Sequence, residues 1–380
     1  MFFKLLKDAL KVKNVRNKIF FTLFIIFVFR VGTHITVPGI NAKSLGQLGE
    51  LPFLNMLNLV SGNAMSNFSV FSMGVSPYIT ASIIVQLLQM DILPKFVEWS
   101  KQGEVGRRKL NQATRYISLA LAFVQSIGIT AGFNTLSSIA LVSTPNVKTY
   151  LLIGALLTTG SMIVTWLGEQ ITDKGFGNGV SMIIFAGIIS SIPSAISTIY
   201  EDFFVNVRSS DLMSSYIFVA LLILAVLVIV FFTTFVQQAE YKIPIQYTKL
   251  EKGAPTSSYL PLKINPAGVI PVIFASSITT IPSTIIPLIS NGRDIPWLTN
   301  LEKLLNYQTP TGMVVYAVLI ILFSFFYTFV QVNPEKTAEN LQKGASYIPS
   351  VRPGRETEDY LSSLLKKLAT VGSVFLAFIS

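Results

Sequence analysis

Apolar residues arrive in this chain in blocks close to the length that crosses a lipid bilayer, and few folds accommodate that. The blocks predict spans at 19–37, 74–92, 113–133, 150–168, 180–199, 214–236, 267–289 and 312–332, with a ninth beginning near 368. A helix of about 20 apolar residues matches a hydrocarbon core of about 30 Å. Inside lipid the backbone must satisfy its own hydrogen bonds, so these spans are expected to be α-helices. Composition supports this reading. Of 380 residues, 51% are hydrophobic and 13% charged, where soluble domains carry about 25% charged residues. A soluble chain of this size would have to split into several domains to bury that much apolar surface. The fold class expected is an all-α polytopic membrane protein with about nine helices.

The net charge is +10, and in a membrane protein the placement of the basic residues carries the information. With the N-terminus on the cytoplasmic side, the inner segments hold Lys4 to Lys18, Lys95 to Lys109, Lys174, Lys242 to Lys263 and Lys336 to Lys367. The outer loops hold only Lys43, Lys148, Arg208, Arg293 and Lys303. The bias has the same sign loop by loop and sets the orientation. Residues 1–18 alternate apolar and basic positions at helical spacing and read as a helix on the membrane surface. The run from Ile19 lacks a small-residue cleavage site and reads as a retained span.

Residues 52–73 do not fit a lipid-facing span. Asn55, Asn58, Ser61, Gly62, Asn63, Ser66 and Asn67 interrupt an otherwise apolar stretch. Two readings stand: a re-entrant segment buried among other helices, or an extracellular loop with one amphipathic helix. From Leu368 the chain offers 13 residues to Ser380, about 20 Å of helix, so it is expected to stop inside its ninth span.

Catalytic and metal-binding signatures are missing. There is no cysteine and a single histidine, His34. Thiolate chemistry and every two-histidine metal motif are thereby excluded. Gly175, Gly177 and Gly179 lie in a short turn between spans without a preceding strand, which favours a tight helix–helix turn over a dinucleotide loop. Intramembrane carboxylates mark proton or ion coupling, and none stands away from the span ends, where Glu169 closes the fourth and Asp91 the second. Arg30, late in the first span, is expected to snorkel toward the outer interface. No cofactor or metal is expected, and any transport must be driven by a partner.

Polarity concentrates in the second and seventh spans: Ser76, Tyr78, Thr80, Ser82, Gln86 and Gln89 in one, and Ser276, Ser277, Thr279 and Thr280 with Pro271 and Pro282 in the other. Such side chains either bond helix to helix or line a polar seam able to open. Two long cytoplasmic segments remain. Residues 237–266 contain short alternating runs around Pro244 and Pro261 that read as a small protruding hairpin. Residues 333–367 are either a functional loop or a solvated charge run.

Several strings together resemble the bacterial SecY family in order and spacing: TVPGI (36–40), PYITASIIVQLLQM (77–90), GEVGRRKLNQATRY (103–116), WLGEQIT (166–172), GNGVSMIIFAGI (177–188), LPLKINPAGVIPVIFASS (260–277) and NPEKTAENLQKGASYIPSVRPG (333–354). The resemblance covers the whole chain. It implies two inverted five-helix halves, about 1–205 and 206 onward, with the family's tenth helix absent here. It implies a passive protein-conducting channel of the bacterial plasma membrane. It also assigns roles: residues 52–73 as a plug, Val75, Ile79, Ile184 and Ile273 as an apolar pore ring, and spans two and three against seven and eight as a lateral gate carrying Ser82, Gln86, Gln125, Ser276 and Ser277. Arg107, Arg108, Lys249, Lys252 and Arg352 fall in its cytoplasmic contact loops. The partners implied are SecE, SecG, the motor SecA, the ribosome, preproteins with signal peptides, and lipid, with no DNA. The alternatives are a secondary transporter for a small solute and an accessory SecY for specialised export.

Overall fold

The computed structural model describes residues 11–41, 61–89, 92–136, 142, 145–205, 212–247, 257–279, 296–305 and 309–380. They fall into two compact units, Met1–Asp202 with Ile281–Leu298, and Phe203–Thr280 with Thr299–Ser380, so that the helix Pro296–Leu305 begins in the first and continues in the second.

The first unit is a helix bundle. Helix α1 is Lys13–Gly32, an apolar run with Lys13, Arg16 and Lys18 at its start. The chain then passes through 61–75 into α2, Ser76–Leu88, with Pro77 in its first turn, where a missing N–H costs nothing. A short surface helix, α3 (Pro94–Lys101), leads to α4 (Gly103–Leu136). Helix α5 (Val147–Lys174) is joined to α6 (Gly179–Tyr200) by a tight turn. The Asn178 side chain caps α6 by accepting from Ser181 N at 3.2 Å. Thr172 Oγ1 accepts from Gly179 N at 2.8 Å, and Gly177 takes φ +74°. The glycines thus serve a helix–helix turn. Helix α4 packs along both α2 and α5, α6 lies against α5, and α1 touches α5 and α6.

The second unit combines helices with a small sheet. Helix α7 (Leu212–Gln238) has its apolar window at a mean hydropathy of 3.1 with none of it buried inside the chain, as a lipid-facing helix requires. Strands β1 (Glu240–Tyr247) and β2 (Ser257–Lys263) follow, then the short apolar helix α8 (Ile270–Thr279) and α9 (Pro296–Leu305). Helix α10 (Pro310–Gln331) starts on a proline, with Thr309 capping it. Helix α11 (Pro334–Lys343) uses Asn333 in the same way. Strand β3 (Ser346–Tyr347) precedes α12 (Arg355–Ile379).

The hairpin expected in 237–266 is present. Strands β1 and β2 pair antiparallel, with Ile243 opposite Leu260 and Tyr241 opposite Leu262. It does not stand free, however: β1 also pairs with β3 at Gln246 and Tyr247. Ile243 and Leu262 are buried with Ile348, Leu361 and Leu365, so the sheet is bolted onto α12. Each such side chain is worth about 1.5–3 kcal/mol relative to exposure. Pro244 and Pro261 survive in the strands because β3 pairs β1 only at its far end, where no proline donor is missed.

Three boundaries differ from the sequence reading. The second span is shorter than 74–92, because the 13-residue α2 ends before a bend into α3. The third is longer than 113–133: α4 has 34 residues and takes in the basic stretch after Gly103. The ninth begins at Arg355 rather than near 368, and 333–367 is helix, strand and helix rather than a loop. The first turns of α12 are charged outside, but Leu361 and Leu365, one helical turn apart, are buried against the sheet. The helix is amphipathic over these turns and more apolar beyond, where Ala369, Gly372, Ser373 and Leu376 remain buried. Its 25 residues reach about 37 Å.

Five of the described helical stretches are long and apolar enough to cross a membrane: Val147–Lys174, Gly179–Val205, Met213–Gln238, Pro310–Lys343 and Arg355–Ile379. Helices α2 and α8 are apolar but shorter.

Candidate functional site

The described part of the polar stretch, from Ser61, is folded into the bundle of the first unit. It is a chain of turns stabilised by its own bonds. Ser72 Oγ donates to Ala64 O at 2.9 Å, and Ser69 N donates to the same carbonyl at 2.9 Å. Asn63 and Phe68 take positive φ, which is uncommon for any residue with a side chain and least so for asparagine. The segment also pairs with the chain after α1: Val37 N donates to Phe68 O at 3.1 Å and Val70 N to Ile35 O at 2.9 Å.

Its apolar side chains divide between two cores. Met65, Phe68 and Met73 pack with Val37, Val142, Ile153 and Leu157. Ala64, Phe71 and Val75 pack with Ile25, Phe29, Val164, Leu167, Ile171 and Ile183. The segment therefore occupies protein interior, not an exposed loop. Asn55 and Asn58 lie outside the described residues. Of the others, Ser61 and Gly62 are buried, while Asn63, Ser66 and Asn67 are partly exposed.

Two close approaches hold the segment. Gly160 of α5 lies where any side chain would run into the Val70 carbonyl. One residue on, Ser161 Oγ donates to Gly74 O at 2.9 Å. Twelve residues earlier, Gly62 takes φ +67°, and a Cβ there would sit 3.0 Å from Gly187 Cα on α6. The Gly62 carbonyl accepts from Arg30 Nη1 at 2.6 Å. The same nitrogen donates to Ser190 Oγ at 3.2 Å and lies 3.4 Å from Thr33 Oγ1. Arg30 thus turns into the bundle rather than snorkelling outward, because a carbonyl and a hydroxyl are in reach there. The sequence offered one signal for this contact, a lone cation in an apolar helix.

The four candidate ring residues divide by unit. Val75 is fully buried, and Ile79 and Ile184 pack half-buried against the same apolar cluster. Ile273 is on α8 in the second unit, and its carbonyl accepts from Ser276 Oγ at 2.9 Å and Ser277 Oγ at 2.8 Å. On α2, Gln86 Nε2 donates to Ser82 Oγ at 3.2 Å, while among the described residues Gln86 Oε1 is buried without a partner. Gln125 is half-buried on α4, the helix that packs along α2.

Of the candidate contact residues, the described ones face solvent. Arg107 and Arg108 are exposed on the first turns of α4. The Arg352 side chain is 87% exposed, with Glu356 3.7 Å away. Lys249 and Lys252 lie outside the described residues. On α11, the hydrogen bond and charge of Lys343 hold the Glu339 carboxyl below its ordinary range. Among the described residues no three His, Asp or Glu side chains gather to hold a metal.

These features define a class: a multi-pass α-helical membrane protein whose bundle encloses a chain of turns from Ser61 to Val75 beside an apolar cluster. The SecY family model matches residues 69–380. The protein translocase subunit SecY of Streptococcus gordonii is 74% identical over 381 residues, covering 100% of this chain and 87% of that one. The chain belongs to the SecY family. The fold is shared with a solved structure in which the plug domain of the SecY protein stabilises the closed state of the translocation channel, at a TM-score of 0.66 and 16% identity, covering 96% of this chain and 84% of that one. It is shared too with Sec61 in the canine ribosome–channel complex, at 0.60 and 15%, with the same coverage.

Proposed function

We propose that this chain forms the conducting path of a protein translocase, moving unfolded secretory chains across a bacterial plasma membrane and releasing apolar segments sideways into lipid. The observation that carries the reading is the burial of 61–75 beside the cluster containing Val75, Ile79 and Ile184 in a chain of this family. An apolar ring of Val and Ile blocks ions by dewetting, since an ion entering it loses hydration and gains no ligand. The same side chains offer a passing polypeptide no directional bond, so any sequence can slide through.

In this reading Val75, Ile79, Ile184 and Ile273 form the ring, and 52–73 is the plug. Ser82, Gln86, Gln125, Ser276 and Ser277 belong to the lateral gate. The driving force comes from partners, SecA or the ribosome, docking on Arg107, Arg108, Lys249, Lys252 and Arg352, while SecE and SecG complete the membrane complex. Basic loops suit the phosphates of ribosomal RNA and make that docking salt-sensitive. Because the basic residues lie on one side, the N-terminus is cytoplasmic.

The chain has no cysteine, which makes the test clean. One cysteine is placed at Ile79 and one in a secretory chain stalled during export. A crosslink between them is expected. Its absence, with the machinery shown to be engaged, rules out passage by Ile79.

A further inference from the structure

We infer that Arg30 is a positioning residue for the closed state: a charged clasp on one end of the re-entrant segment, whose release accompanies opening. The inference rests on the channel reading above. It starts from the position of a guanidinium in an apolar helix. Among the described residues no carboxylate pairs with Arg30; its Nη1 contacts neutral acceptors, the Gly62 carbonyl at 2.6 Å and Ser190 Oγ at 3.2 Å. A charge-assisted bond of this kind is about twice as strong as a neutral one. It joins three separate pieces of chain, α1, the segment and α6, at one nitrogen.

Within the described part, the segment is held differently at Gly62 and at Gly74. Gly74 is fixed by the neutral Ser161 hydroxyl and runs directly into α2, so this end can only pivot. Gly62 is held by Arg30 and fits against α6 only because it lacks a side chain. Between them the turns are tied by internal bonds, Ser72 Oγ and Ser69 N on the Ala64 carbonyl, so the segment moves as a body. The backbone pairing to Ile35 and Val37 is available to any sequence. At Gly62 a single side-chain change, at Arg30, removes the charged contact. A state held by such a bond loses population when it is cut, by about tenfold or more.

The test uses the full chain with its partner subunits in vesicles that translocate a secretory substrate. Ser61, 3% exposed beside the clasp, is changed to cysteine and labelled by a membrane-impermeant maleimide, with resting ion conductance recorded in parallel. Arg30→Gln is expected to speed labelling about tenfold and raise conductance. Arg30→Lys, which keeps a charged donor, is expected to restore most of the protection. Labelling and conductance equal to the parent in Arg30→Gln overturn the clasp while leaving the channel reading intact. If Arg30→Gln does not accumulate, Ser190→Ala, which removes the acceptor of Arg30 on α6, takes its place: labelling a few-fold faster than the parent supports the clasp, and an unchanged rate overturns it. Loss of the Ile79 crosslink in the parent vesicles overturns the channel reading itself.

Discussion

Arg115 on α4 and Glu169 on α5 meet edge to edge: Nε donates to Oε1 at 2.9 Å and Nη2 to Oε2 at 2.7 Å. The fork geometry suits arginine and excludes lysine as an equivalent. The carboxylate near the membrane end of the fourth span is thus already committed to a neighbouring helix, which argues against an ion-coupling role. Half of the Arg115 side chain is exposed, so water and salt weaken the pair. Glu169→Gln is expected to cost no more than about 1 kcal/mol, because water can solvate the freed arginine. Arg115→Gln combined with Glu169→Gln should recover part of that loss. Denaturation of the three proteins in detergent measures both.

The apolar cluster around Val75 yields a conductance prediction. Ile79→Asn or Ile184→Asn puts an amide where an ion can be solvated. Resting ion leak through the assembled complex should rise several-fold in planar bilayers. Both side chains are half-buried, so the fold should survive the change. Conductance equal to the parent would remove the altered residue from the ring.

Gly160 and Ser161 make contrasting predictions for the seat of the segment. Ser161→Ala removes one hydroxyl bond to the Gly74 carbonyl and is expected to cost about 1 kcal/mol. Gly160→Leu drives a side chain into the Val70 carbonyl and should prevent the segment from seating. Protease resistance of the folded chain should fall slightly in the first variant and sharply in the second.

The Arg352 side chain lies on the surface, with the exposed Glu356 carboxylate 3.7 Å away, so Arg352→Glu should change stability by less than about 0.5 kcal/mol. Export driven by SecA should nevertheless fall strongly while membrane insertion and SecE binding persist. In vitro transport assays with matched amounts of complex check this, and undiminished export would withdraw the assignment.

The sheet supplies a stability prediction. Ile243 is fully buried against Leu361 and Leu365. Ile243→Ala should cost about 2–5 kcal/mol, seen as earlier proteolytic cutting of the hairpin. If proteolysis is unchanged, the hairpin is not anchored through Ile243.

Much of the architecture was legible in the residues because lipid imposes a length and an apolar content on every span, and both are local properties of the chain. The runs from Leu212 and Pro310 show this: each helix lies close to its predicted block. The alternation around Pro244 gave the hairpin, and the glycines from Gly175 gave the turn between α5 and α6, for the same local reason. Tertiary structure decided where local pattern was ambiguous. Charged turns hid the start of α12 until Leu361 and Leu365 were seen buried on the sheet. Polarity in 52–73 suited both an outer loop and an interior segment, and packing against Phe29, Leu157 and Val164 chose the interior for its described part, from Ser61 on. Arg30 was visible as a lone cation, but its acceptor lies 32 residues away at Gly62. A hydrogen bond of that separation depends on how the helices close around it, which no window of sequence contains.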